Sequence, residues 1–364
     1  MDIPRLERLT VRGYRSLLDV SVEVGPVTVV QGGNGTGKSN LYRALGLAHA
    51  AATGSLGRAI AAEGGMGSIL WAGPRRKGPQ RVEIDVQWMD LRYRLVLGLP
   101  QTVGPDPFPL DPEVKSEVIE VTDGSRWLPV AERTNSSVMM RDDEGDRVVF
   151  PFELWRGESM LTQVRDPRGF PIAAEVRARL ADWRLYHEFR TGDDAPARSP
   201  QLGVFTAQLA ADGSDLAAAF ATIRHVGDVA RYHSLVAAAF DGARVAHDVD
   251  ASGRFWLMLD SGLNRPLAAS ELSDGTLRFL CLLTALSSPR PASFVAFNEP
   301  ETSLHPDLLP TLAEVLAQRT GDSQIWITTH SAALAQEVAD RAGVVVHRLE
   351  RSDGATRVVD SARP

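Results

Sequence analysis

The 364-residue chain has a single cysteine, Cys281, which excludes an internal disulfide framework and any cysteine-cluster metal site. No apolar run approaches the roughly 20 residues that span a bilayer. The Met1 end has no long apolar stretch of the kind that opens a secretory leader. A soluble, cytoplasmic chain is therefore expected. There is no internal repeat and no sustained heptad pattern, which argues against a long coiled-coil arm. An excess of positive charge is also missing. Thirty-nine Lys+Arg against 46 Asp+Glu leave a net charge of −7, so a generally basic nucleic-acid coat is excluded, though a local basic groove is not. Lysine is scarce: only Lys38, Lys77 and Lys115 occur among the 39 basic residues.

What is present is ordinary globular material, 44% hydrophobic and 23% charged, long enough for two or three lobes. Short strands are expected at 6–11, 17–24 and 27–31, then a Gly-rich turn and a helix over 39–52. Loop follows over 64–79. Strands at 81–87 and 92–99 read as an antiparallel hairpin, and the proline-rich stretch 102–112 as a rigid linker. Strand-like pieces continue to 151. The segment 153–189 reads as mostly helical, with breaks at Pro167 and Pro171, and with Trp183, Tyr186 and Phe189 on one helical face that reads as core rather than as a base-stacking platform. Helices at 215–224 and 228–240 precede strands at 243–249 and 254–260. From residue 270 helices (276–287, 306–318, 332–341) alternate with short apolar strands (294–297, 324–328, 344–349). That alternation predicts an α/β fold with a largely parallel sheet.

The most specific motif is Gly32-Gly33-Asn34-Gly35-Thr36-Gly37-Lys38-Ser39. It matches G-x-x-x-x-G-K-[ST] between an apolar strand and a helix, the setting of a phosphate-binding loop. Glycines let backbone wrap a phosphate, and the N–H groups and helix N-terminus supply positive potential. One of only three lysines, Lys38, stands where it would neutralise β/γ-phosphate charge, and Ser39 where it would ligate Mg²⁺. A Gly-rich turn capping a helix is the plain alternative. The motif alone does not separate an ATPase from a GTPase or a nucleotide kinase.

Three distal patterns narrow the choice. Residues 294–299 form an apolar strand ending in Asn298-Glu299, a Walker B pattern with an amide where aspartate is usual. Glu299 is the candidate general base, with Glu301 nearby but less well placed. Leu272-Ser273-Asp274-Gly275 opens a helix and offers an anion-binding corner, or simply an N-cap by Ser273 or Asp274. The strand 325–329 ends in His330; a lone histidine is more often structural, but its place after the other motifs favours one that would sense the γ-phosphate and attacking water.

Together these residues resemble the ATP-binding-cassette class of ATPases. The resemblance is closest to the soluble branch of RecF, the SMC heads and the ATPase domain of the OLD-family nucleases. It is carried by Gly32 to Ser39, Leu272 to Gly275, Asn298-Glu299-Pro300-Glu301, Ser303-Leu304-His305-Pro306 and Thr329-His330, with Gly13-Tyr14-Arg15-Ser16 similar to the branch's N-terminal motif. It covers about the first 50 and last 100 residues. It implies a P-loop NTPase head of ABC type, made of residues 1–52 and 270–364, with an inserted α+β lobe at 53–269. It also implies ATP and Mg²⁺ as ligands and slow ATP hydrolysis. Nucleotide contacts would come from Gly32, Asn34, Gly35, Gly37, Lys38, Ser39 and Asn40. In a homodimer, Ser273, Asp274 and Gly275 would reach the nucleotide held by the opposite copy. Ser303, Leu304 and His305 would match the D-loop, which lies where two copies meet. Metal ligands would be Ser39, Asn298 and a Q-loop glutamine, Gln163, whose alternative is an ordinary surface residue. The catalytic set is Glu299, His330 and Lys38.

Other features carry less. Arg75-Arg76-Lys77 reads as a solvated loop or a phosphate contact. His225, His233 and His247 lack partners for a metal site, and Cys281 reads as core. With about fifteen residues after 349, the nuclease domain of OLD proteins is not expected. Duplex DNA, a separate effector protein and, less favoured, a membrane transporter are the partners to be distinguished.

Overall fold

The computed structural model describes residues 4–360 except 75–76, 102–106, 143, 151–152, 320, 343 and 345. Arg75 and Arg76, and part of the proline-rich linker, thus lie outside the described residues. The chain forms two compact units, each assembled from separate stretches of sequence: residues 1–25, 32–183 and 347–364, and residues 26–31 and 184–346. This grouping cuts across the segment 53–269.

The first unit is built on an eight-stranded antiparallel sheet, in the order Leu17–Glu23, Leu6–Tyr14, Arg81–Trp88, Leu91–Gly98, Glu113–Thr122, Trp127–Thr134, Ser137–Arg141 and Arg147–Val149. Alternation decides which face is buried: Val82, Ile84, Val86 and Trp88 go inside, as do Tyr93, Leu95 and Leu97. The Lys38–Thr53 helix is Ala- and Leu-rich and buries ten of its residues. Its N-cap, Gly37, and C-cap, Gly54, both take left-handed conformations. At the far end of the chain, Val346–Ser352 and Ala355–Asp360 form a hairpin. Its two-residue tip, Asp353-Gly354, has φ 52° and 80°, as a type I′ turn demands.

The second unit holds the parallel strands Arg184–Tyr186, Phe294–Asn298 and Gln324–Thr329, followed by residues 27–31 of the Val27–Gly32 strand. Phe294 to Phe297 and Ile325 to Ile327 are buried throughout, as expected of strands covered on both faces. The helices Leu216–Val226, Val229–Ala239, Asp274–Leu286 and Leu309–Gln318 contribute apolar faces to its core. A small antiparallel sheet of Gln201–Leu202, Arg254–Asp260, Arg244–Val249 and Leu267–Ala268 completes it.

The α/β expectation holds, with local corrections. The segment 153–189 is helical only at Met160–Gln163 and Pro171–Ala181. Arg184–Tyr186 is a strand, because Tyr186 finds its partner across the sheet and stacks on Phe297 at 5.2 Å. Trp183, Tyr186 and Phe189 are all buried, although they do not share a helix. A short helix, Met66–Ile69, interrupts the expected loop over 64–79. The last expected strand is found at Val346–Ser352, and the one after it, Ala355–Asp360, has no counterpart among the expected elements.

Candidate functional site

The phosphate loop is shaped by backbone. Gly35 and Gly37 have φ of 77° and 106°, values that L-residues rarely adopt. Thr36 caps the loop internally, its Oγ1 donating to Gly33 C=O at 2.8 Å. Asn40 N and Leu41 N both donate to Gly37 C=O, which starts the helix. Lys38 is only 3% exposed, and its Nζ donates to Gly32 C=O at 2.8 Å and Gly33 C=O at 2.9 Å. A buried ammonium curled onto the loop's carbonyls can be drawn off by a phosphate, which offers a charged acceptor instead. Asn34 and Gly35 are exposed and Ser39 half-buried. Asn40 points behind the loop, its Nδ2 donating to Ser16 Oγ at 2.9 Å.

The N-terminal aromatic-basic motif belongs to the same unit. Gly13 (φ 69°) is obligatory, since a Cβ there would lie 2.1 Å from Arg81 C=O. The turn it permits buries Tyr14 and leaves Arg15 paired with Glu63 at 2.8 Å. Tyr14 Oη also donates to Glu63, and burial raises its pKa well above the usual phenol value. Gln163 staples a loop: its Oε1 accepts from Trp155 N at 2.7 Å, and its Nε2 donates to Trp155 C=O and Glu158 C=O. Metal ligation by Gln163 requires these bonds to be given up.

The second unit sets Asn298-Glu299 and Thr329-His330 on one sheet edge. The register sets Asn298 beside Thr328, and Thr329 beside Gln31, after which the chain enters the Gly32 loop. Polar residues thus follow all three strands at their carboxyl ends, where open parallel sheets bind ligands. Asn298 Oδ1 accepts from Thr328 Oγ1 at 2.9 Å. Glu299 adopts φ 48°, pinned by its N–H to Thr328 C=O and by Arg278 Nη2 on its own C=O at 3.1 Å. Burial lowers the pKa of Arg278.

Glu301, which the sequence ranks below Glu299, is the anchor of this edge. It is 8% exposed, and its Oε1 accepts from Thr329 Oγ1, from His330 N at 3.1 Å and from Ser331 N at 3.3 Å. His330 Nδ1 lies 3.2 Å from the same oxygen and 3.9 Å from Glu299 Oε2. Both carboxylates therefore face one imidazole nitrogen, Nδ1.

At the signature corner, Ser273 caps the Asp274–Leu286 helix, its Oγ accepting from Thr276 N at 3.2 Å. Arg198, absent from every motif, holds this corner. Its Nη1 donates to Leu272 C=O and its Nη2 to Asp274 Oδ1, both at 2.6 Å. Gly275 abuts the D-loop, since a Cβ would meet Ser303 C=O at 2.5 Å. Ser303 itself has φ 64°, and His305 is exposed beside Asp307.

The residues fit the ligands their motifs imply. Glycine-framed N–H groups and a buried lysine suit a polyphosphate. The Ser39 hydroxyl and the Asn298 amide oxygen suit Mg²⁺ as hard oxygen donors, but they are neutral, so the phosphates must bring the compensating charge. Among the described residues no group of three or more His, Cys, Asp or Glu could hold a metal by itself, and His225, His233 and His247 form none. Nor is any described helix long and apolar enough to cross a membrane.

The family profile matching residues 27–335 is described as "AAA domain, putative AbiEii toxin, Type IV TA system". No curated protein matches the chain at a significant level. Among solved structures, an SMC head bound to the C-terminal winged-helix domain of ScpA aligns with TM-score 0.56 at 14% identity, over 99% of this chain and 98% of that one. An SMC head with an extended coiled coil, bound to the C-terminal domain of ScpA from Pyrococcus furiosus, aligns with TM-score 0.54 at 11% identity, over 98% and 96%. The fold is that of the SMC head, a P-loop NTPase of ABC type.

Proposed function

Because the chain belongs to this AAA-domain family, we propose that it binds and hydrolyses ATP as a dimeric, ATP-gated switch in cytoplasmic DNA repair or genome defence. One observation carries the reading. Three neighbouring parallel strands pair as far as Gln31, which leads into the phosphate loop, Asn298, which leads into Glu299, and Thr329, which leads into His330.

Lys38 takes up β/γ-phosphate charge and releases the Gly32 and Gly33 carbonyls. Ser39 and Asn298 would hold Mg²⁺, which would supply positive charge to offset that of the phosphates. Glu299 accepts the proton of the attacking water, and His330 presents Nε2 toward the γ-phosphate. Ser273 and Gly275 of a second copy complete each nucleotide site, so ATP joins the copies and hydrolysis parts them. The neutral Asn298 favours slow turnover.

The toxin named in the family description favours defence over repair. The same description, with the ScpA-bound neighbours, supports a second reading, in which the switch gates a separate effector protein. Steady-state ATP turnover with and without linear duplex DNA, with Lys38→Ala as control, separates them. Several-fold stimulation of the Lys38-dependent rate supports action on DNA. A rate indifferent to DNA supports effector gating, and no Lys38-dependent turnover refutes both.

A further inference from the structure

Behind the phosphate loop runs a line of hydrogen bonds that none of the motifs contains. Thr356, on the outer strand of the C-terminal hairpin, is 2% exposed, and its Oγ1 donates to Thr36 C=O at 2.7 Å. A hydroxyl has one proton. The 2.8 Å contact between Ser16 Oγ and Thr356 Oγ1 is therefore donated by Ser16. Asn40 Nδ2 in turn donates to Ser16 Oγ at 2.9 Å. The polarity is set by elimination: Asn40 to Ser16 to Thr356 to the Thr36 carbonyl. Thr356 N also donates to Ser16 C=O at 2.8 Å, which fixes the hairpin against the turn carrying Ser16.

The fit is steric as well. A Cβ on Gly37 would lie 2.2 Å from Thr356 Oγ1, and one on Gly32 2.9 Å from Leu349 C=O. The hairpin thus touches the loop at both ends, at distances only glycine allows. The Thr36–Gly37 peptide is trans, so its C=O and N–H point opposite ways. Tethering Thr36 C=O to the hairpin therefore aims Gly37 N–H away from it.

We propose that Thr356 is a positioning residue for nucleotide binding: it orients the Thr36–Gly37 peptide so that the loop's N–H groups are preset for phosphate. This rests on the ATP-binding reading and extends it to a residue 320 positions from its acceptor.

The test compares the full wild-type chain with Thr356→Val and Thr356→Ser. Valine keeps the shape and suits a strand, so the fold survives. Calorimetry with ATP·Mg²⁺ should show Kd raised about tenfold in Thr356→Val, the loss of one to two hydrogen bonds, and restored in Thr356→Ser. KM should rise with kcat nearly unchanged. Without nucleotide, amide exchange over residues 33–39 should quicken in Thr356→Val alone. Unchanged affinity together with unchanged exchange overturns the proposal. If the wild type binds no ATP·Mg²⁺, the functional reading fails, and the exchange comparison still decides whether Thr356 braces the loop.

Discussion

The phosphate loop and the Asn298–His330 edge serve one proposed chemistry but are held by opposite means. The loop depends on shape: glycines at φ 77° and 106°, backbone bonds, and neutral hydroxyls behind it. The edge depends on charge: the Oε1 of one buried carboxylate, Glu301, gathers a hydroxyl, two backbone N–H groups and an imidazole. A site held by shape fails when atoms are added. A site held by charge fails when atoms are removed.

The largest effect expected is at the one charge the loop does hold. Lys38→Ala should lower kcat/KM for ATP about a thousandfold, since residues 32–39 hold no other charged side chain to offset phosphate charge. Calorimetry and phosphate release would check it, and a loss under tenfold would break the assignment. Next, Glu301→Ala takes the acceptor from Thr329 Oγ1 and His330 N, while Ser331 N keeps Thr329 Oγ1, and should destabilise the chain by about 3 kcal/mol in urea unfolding. An unchanged midpoint would mean that the edge does not depend on this carboxylate.

Adding one methyl group to the loop sharpens the contrast. Gly37→Ala brings a Cβ against Thr356 and should cost about 2–3 kcal/mol. Gly35→Ala, where nothing lies within 4 Å, should cost only about 1 kcal/mol. Equal costs would show that backbone conformation, not the hairpin, limits the loop.

The smallest effect concerns the approach to the signature corner. Exposed Glu271 is held at about 2 by bidentate hydrogen bonds from Arg265. A depressed carboxylate stabilises above its ordinary pKa and loses that contribution as pH falls through about 2. Arg265→Ala should return Glu271 to the usual glutamate range in an NMR titration, and a titration still near 2 would assign the shift to the Ala268 N–H instead.

This contrast also explains what could be read from the sequence. The loop's chemistry lies within eight consecutive residues, and its strand–loop–helix setting is local, so both are legible. The alternating C-terminal strands are legible because burial on both faces leaves unbroken apolar runs such as Phe294 to Phe297. Arg184–Tyr186 is not, since a three-residue strand is defined by its partner Phe294–Asn298 rather than by its own pattern. The residues holding the site are the least legible. Ser16 lies in a motif that gives no hint of its contact with Thr356, 340 positions away. Thr356 and Arg198 carry no local signal at all. Glu301 ranks in the sequence as the weaker of two carboxylates, because position after a strand does not reveal which one turns inward.

If ATP joins two copies of this chain and hydrolysis releases them, light scattering of Glu299→Gln, with and without ATP·Mg²⁺, will show it most directly. Removing the proposed general base while sparing the phosphate loop should trap the joined state, so the measured mass should double with ATP·Mg²⁺ and stay monomeric with ADP. A mass that does not change on adding saturating ATP·Mg²⁺ would contradict the switch.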